Sequence, residues 1–155
     1  MAEQVLIRHA RAGSRSGWRD DDRLRPLSKK GRREAEALVN RLAHVPLQAV
    51  LSSPYVRCVQ SVEPVARARG LAIQETERLA EGAGLDAFFG LLREATGRPS
   101  AYCAHGDLMY WIAEDVVNRR LVRRSDAGYA KGSAWILEEQ QGRILAARYL
   151  PPSKV

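Results

Sequence analysis

Three short apolar runs end on residues that carry chemistry, and this repetition constrains the fold more than any other feature of the chain. Val5-Leu6-Ile7 runs into Arg8-His9, Ala49-Val50-Leu51 into Ser52-Ser53-Pro54, and Ala101 to Ala104 into His105-Gly106-Asp107. Brief apolar runs bounded by polar groups and turn formers are the pattern of strands buried on both faces. Stretches of helical length lie between them. Ser28 is placed to cap a helix reaching about His44, with Ala35, Leu38, Val39 and Leu42 on one face and Pro46 beyond its end. Ser53 as N-cap and Pro54 at the first helical position predict a second helix, running to Arg69 and stopped by Gly70. A third is expected from Leu85 to Ala95, with Leu85, Phe88, Leu92 and Ala95 inward. A fourth is expected from Leu108 to about Val117, capped by Asp107. Leu71 to Gln74 reads as a further strand. Ser133 to Glu138 and Arg143 to Leu150 read as two more, joined by a turn at Gln141-Gly142. Strands alternating with helices predict an α/β fold, a three-layer α/β/α sandwich. Its sheet should be mostly parallel, with at least one antiparallel strand from the C-terminal pair.

The stretch from residue 11 to 27 holds Gly13, Gly17, Pro26 and the run Asp20 to Asp22, and is expected to be a loop. No repeat, low-complexity tract or linker interrupts the chain, and 155 residues fit a single domain, 1–155. A chain of that size buries about two thirds of its unfolded surface, so it needs no disulfide or metal staple. The apolar runs are far short of the roughly 20 residues of a membrane span. The N-terminus enters a strand at once, without the regions of a signal peptide. Two cysteines, Cys58 and Cys103, are too few for a disulfide framework and are expected to be small core residues. A cytoplasmic protein is expected, with no membrane partner.

In open α/β sheets, ligands bind outside the carboxyl ends of the strands. Arg8, His9, Arg57 and His105 all fall at such ends or just after them, so residues scattered through the sequence are expected to converge on one pocket. Arg57 lies in the first turn of its helix, where backbone N–H groups and the dipole favour an anion. A phosphoryl group suits that place better than any other common ligand. The wider charge balance points the same way but weakly: 25 basic against 18 acidic residues, a net charge of +7, with 21 arginines. Arginine binds phosphate as a two-pronged fork.

The segments LIRHARAG, LSSPYVRCVQSVEPVA and AHGD, in this order and strand context, resemble the histidine phosphatase superfamily, with its phosphoglycerate mutase-like fold. The RHA form, with Ala10 where glycine is more familiar, is similar to the small SixA-type phosphohistidine phosphatases. DDRLRPLSKKGRREAEAL, which includes Gly31, is similar to that subgroup and also to the phosphatase domain appended to MutT-type Nudix hydrolases. The resemblance runs from Val5 to about Leu137, with Lys131-Gly132-Ser133 matching the start of a late strand. It implies that His9 is the nucleophile that accepts the phosphoryl group. Arg8, Arg57 and His105 match the phosphate pocket, and Arg25 matches a residue able to reach substrate. The segment Arg78 to Glu81 matches one that carries a catalytic glutamate, which makes Glu81 the chosen general acid, with Glu77 and Asp22 as rivals. The chemistry agrees with the resemblance. Neutral imidazole is a competent nucleophile near neutral pH, and two arginines with a protonated second histidine would neutralise the transferring phosphoryl oxygens. No metal ion or cofactor is called for.

The favoured function is a metal-independent phosphatase of the SixA type, acting on phosphohistidine in a phosphorylated protein. Alternatives are a phosphatase of nucleotides or small phosphate esters, and a mutase, for which the span from Gly70 to Pro99 offers little from which to build a lid. No Nudix box is present in these residues. A non-enzymatic phosphate- or RNA-binding module would have no use for His9. The cluster Arg119-Arg120 with Arg123-Arg124 reads as a solvated face rather than a nucleic-acid site. His44 is expected to cap its helix. Trp111 and Trp135 are expected in the core, and Trp18 in the wall of the pocket.

Overall fold

A computed structural model describes residues 2–155. The elements are β1 (Ala2–Arg8), α1 (Lys29–Arg41), β2 (Ala49–Ser52), α2 (Val56–Arg69), β3 (Ile73–Glu75), α3 (Leu85–Ala95), β4 (Ser100–Ala104), α4 (Gly106–Asn118), β5 (Ala134–Gln140) and β6 (Arg143–Leu150). Short 3₁₀ turns occupy Asp22–Leu24, Glu77–Leu79 and Arg124–Asp126. The six strands form one sheet in the order β3-β2-β4-β1-β5-β6. β3, β2, β4 and β1 are mutually parallel, and β5 runs against both β1 and β6. The α/β class and the mixed sheet are as the sequence predicts.

Side chains alternate across a strand, which divides the core into two halves. Val5, Ile7, Val50, Ala101 and Ile136 pack with Leu38, Leu42, Val62 and Val65 of α1 and α2. Leu6, Tyr102, Trp135 and Leu137 pack on the other face with Phe88, Leu92, Met109 and Ile112 of α3 and α4. Three layers result. The hairpin between β5 and β6 turns through Gln141 (φ 54°) and Gly142 (φ 83°), the two left-handed residues that a tight antiparallel connection needs.

Several local expectations are corrected. α1 ends at Arg41 rather than near His44, and His44 is exposed. Arg69 of α2 braces the turn that follows the helix, donating to Leu42 O and Val45 O at 2.7 Å each. α2 starts two residues later than predicted, with Tyr55 in the capping position and no side-chain cap; the Ser53 hydroxyl accepts from Tyr55 N at 3.3 Å and also lies against His105. β3 covers Ile73–Glu75, a shift from Leu71 to Gln74. α4 begins at Gly106 with His105 in the capping position, and Asp107 lies inside its first turn. Trp135 is fully buried, whereas Trp111 is 52% exposed and not a core residue.

At Gly31 of α1, a Cβ would collide with the Arg11 carbonyl oxygen. The first turn of α1 therefore packs directly on the backbone that follows His9. Ser28 Oγ donates to that same carbonyl and accepts from Gly31 N.

Candidate active site

The sheet register assembles the site. Arg8 pairs with Ala104 across the parallel β1/β4 ladder, so the next residues, His9 and His105, leave the sheet side by side. Ser52 pairs with Cys103 on the other side of β4, which brings Ser53 next to them. The two imidazole rings meet edge to face with centroids 5.5 Å apart. Both are buried.

His9 is held by a single tautomer-setting bond. Its Nδ1–H donates to the Ala10 carbonyl at 2.8 Å, which leaves the Nε2 lone pair free. Burial drives its pKa down, the Ala10 carbonyl opposes this, and the charges of His105, Arg57 and Arg8 add to the fall, to about 3. His9 is therefore neutral at physiological pH. His105 is oriented from behind. Its Nε2 lies 2.9 Å from Ser53 Oγ and 3.5 Å from Cys58 Sγ, and the Tyr55 ring packs on it edge to face at 4.4 Å. Its Nδ1 has no partner.

The arginines are gripped at their tips. Arg57, 1% exposed, donates from one terminal nitrogen to the Asp22 carbonyl at 2.8 Å and from the other to Asp22 Oδ2 at 2.9 Å. Arg8 donates from a terminal nitrogen to the Tyr129 carbonyl at 2.7 Å. In both, the Nε–H is buried and unpartnered. Among the described residues, the buried side-chain polar atoms without a partner are Arg8 Nε, Arg57 Nε and His105 Nδ1. All three belong to residues that the sequence singles out for phosphate. Buried orphan donors are costly and infrequent in folded proteins. An anion bound beside them would give the two arginine Nε–H groups partners.

Arg25 is buried, and it bonds Asp22 Oδ1 at 3.0 Å and the Gly13 carbonyl at 2.6 Å. It braces the loop that carries Asp22. For Asp22, burial works to raise the carboxyl pKa, and hydrogen bonds from Arg25 and Arg57 outweigh that and hold it below its usual value. Glu77 is paired with Arg23 at 2.8 Å, and that hydrogen bond holds its carboxyl low as well. Neither rival is suited to giving up a proton near neutrality. Glu81 makes only a 3.9 Å contact with exposed Arg15. Its loop is tied to the first turn of α4, where Gly82 N–H donates to Asp107 Oδ2 at 2.8 Å. Trp18 is half-buried, its indole N–H on the Asp21 carbonyl beside the Asp22 turn.

The sequence reading missed Ser53, Tyr55 and Cys58 as the setting of His105, and Asp22 as the clamp on Arg57. Ser53 has the signature of a helix cap, and only the β2/β4 register shows that its hydroxyl faces a histidine. The anion expected opposite Arg57 is in part supplied by the chain itself. In the Arg119 to Arg124 cluster, Arg119, Arg123 and Arg124 pair with Asp115, Asp126 and Glu114, as a solvated face would. Among the described residues, no group of three or more His, Cys, Asp or Glu side chains is placed to hold a metal ion. Among the described residues, no helix is long and apolar enough to cross a membrane.

Gly106 opens α4 against Arg8: a Cβ there would lie 2.6 Å from the guanidinium carbon. Gly106→Ala is expected to leave the fold standing, because a guanidinium tip can move aside, but to cost about tenfold or more in turnover by displacing the Nε–H. Thermal melting and steady-state kinetics on the same preparation check this.

The sheet and its helices define a phosphoglycerate mutase-like α/β protein. The model of the histidine phosphatase superfamily (branch 1) matches residues 4–87, over half of the chain, and the chain belongs to that superfamily. An 8-oxo-(d)GTP phosphatase of Mycolicibacterium smegmatis is 36% identical over 153 residues, 96% of this chain and 48% of the relative. The chain thus spans about half the length of that curated relative. Among solved structures, SixA from Agrobacterium tumefaciens shares the fold at a TM-score of 0.78 and 24% identity, over 97% of this chain and 98% of that one. A protein histidine phosphatase SixA complexed with tungstate matches at 0.74 and 19%, over 97% and 95%.

Proposed function

We propose that the chain is a phosphatase that works through a covalent phosphohistidine on His9. The observation that carries this reading is the set of three buried, unpartnered nitrogens on Arg8, Arg57 and His105 around a histidine whose Nε2 is free. The Nε2 lone pair attacks phosphorus, the P–N bond forms as the bond to the leaving oxygen or nitrogen breaks, and the leaving group takes a proton. Water then attacks the phosphohistidine, which releases inorganic phosphate and returns His9 to its neutral form. Arg8 and Arg57 present Nε–H edges to the equatorial oxygens, which is the positioning and charge stabilisation that phosphoryl transfer needs. Glu81 is the proton donor of choice, since Asp22 and Glu77 are held as carboxylates by arginines.

Two substrate classes have separate support. The 36% identical relative is named for a nucleotide substrate, while the full-length likeness of fold to SixA favours phosphohistidine in a protein. A panel of nucleoside mono- and diphosphates, ribose 5-phosphate and a phosphohistidine protein, each with and without EDTA, separates them. Turnover is expected to survive the chelator, because Arg8, Arg57 and His105 take the part that metal ions play in other phosphatases. Activity lost on chelation and restored by magnesium or zinc would overturn the mechanism.

A further inference from the structure

Beside Arg8 lies a group of aromatic side chains that the core does not claim. Tyr110 and Trp111 on α4 and Tyr129 in the loop before β5 are 39%, 52% and 48% exposed. Their rings nonetheless pack on one another edge to face, Tyr110 on Trp111 at 5.3 Å and on Tyr129 at 5.4 Å. The group is continuous with the phosphate pocket at two points. The Tyr129 carbonyl holds Arg8. Tyr110 lies four residues past Gly106, on the same face of α4, and Gly106 touches the Arg8 guanidinium. Four residues of helix rise about 6 Å, close to the separation of a base from its 5′-phosphate.

The platform is also built rather than incidental. The Trp135 indole donates to the Gly128 carbonyl at 3.0 Å, and the Tyr149 hydroxyl accepts from Ala130 N at 3.1 Å. Gly128 sits against the Tyr149 ring, where a Cβ would fall 2.6 Å from it. The backbone is thus pinned on both sides of Tyr129 while the ring between is left to solvent. Charge around the pocket suits a polyanion: Lys131 is lowered by burial and then by the neighbouring charges of Arg8, Arg25, Arg11 and Arg15.

We infer that Tyr110, Trp111 and Tyr129 form a stacking subsite for the base of a nucleotide whose phosphate enters the Arg8 pocket. The inference rests on the phosphatase reading above and adds to it where the non-reacting end of the substrate lies. Stacking of a base on an aromatic ring is sequence-tolerant and strong enough to set affinity.

The test compares GMP and GDP with ribose 5-phosphate, which lacks the base, in wild type, Tyr110→Ala and Trp111→Ala. Loss of one ring is expected to raise KM for the nucleotides about tenfold, with kcat/KM for ribose 5-phosphate within about twofold of wild type. Trp111 fluorescence supplies a readout independent of turnover: GDP should quench it, ribose 5-phosphate should not, and Trp111→Phe should abolish the difference. Equal loss on GMP and ribose 5-phosphate, absence of the quench, or variants that impair only a phosphohistidine protein would each overturn the subsite. Failure of the phosphatase reading shows separately, as absence of phosphate on His9.

Discussion

In His9→Ala, a brief reaction with labelled substrate, quenched by denaturation, is expected to leave no label on the protein, whereas wild type should carry label that acid removes and alkali spares. That pattern is the property of a P–N bond to imidazole. A phosphoserine survives acid and is lost in alkali, and an acyl phosphate does not survive alkali. Because Nδ1–H is taken by the Ala10 carbonyl, the label in wild type is expected on Nε2. Acid-stable label in wild type, or label surviving in His9→Ala, would overturn the main claim. The same variant has a second signature. Folded His9 takes up a proton only near pH 3, while an unfolded histidine does so near 6.5. The pKa is depressed in the folded state, so His9 costs stability as pH falls from 6.5 towards 3. His9→Ala removes that cost. Its urea midpoint relative to wild type should rise between pH 7 and pH 4.5.

Arg57→Ala is expected to lower turnover about 100- to 1000-fold, the usual consequence of removing one pre-placed donor to a transition-state oxygen. Arg120→Ala, on the solvated face, should be near neutral. Arg57→Lys should rescue poorly. An ammonium can satisfy Asp22 but has no second edge to offer, while the guanidinium engages Asp22 with its tip and keeps the Nε edge free. Some of the loss in Arg57→Ala will come from a loosened Asp22 turn. Melting temperature separates this from catalysis, because Arg120→Ala and Arg57→Lys bracket the structural part. Comparable losses from Arg57 and Arg120 would mean that the phosphate site lies elsewhere.

Much of the architecture was legible because the strand runs are short and unbroken and because Ser28, Gly70 and Gly142 punctuate the chain in the usual ways. The histidines and arginines were legible from their places after strand ends. What was hidden depends on distance across the sheet. Ser53 reaches His105 through the β2/β4 register, and Asp22 reaches Arg57 across 35 positions. Neither pairing has a local pattern. Trp111 was misplaced for a related reason: a large apolar residue near the helical period of Leu108 and Ile112 reads as core, yet only the packed helix shows which edge of that stripe faces solvent. Arg25 is the intermediate case: the sequence offers it as a residue able to reach substrate, and in the fold its guanidinium bonds Asp22 and the Gly13 carbonyl.

The grip on the two guanidinium tips has an entropic meaning. A free arginine side chain carries about 2 kcal/mol of rotamer entropy, which an unrestrained pocket forfeits each time an anion arrives. Here Asp22 and the Tyr129 carbonyl immobilise Arg57 and Arg8 when the chain folds. For two such side chains the saving approaches about 4 kcal/mol, nearly three decades in an equilibrium constant. Phosphate capture should accordingly show a small conformational-entropy loss in calorimetry, with the ordering already done by residues that never touch the anion.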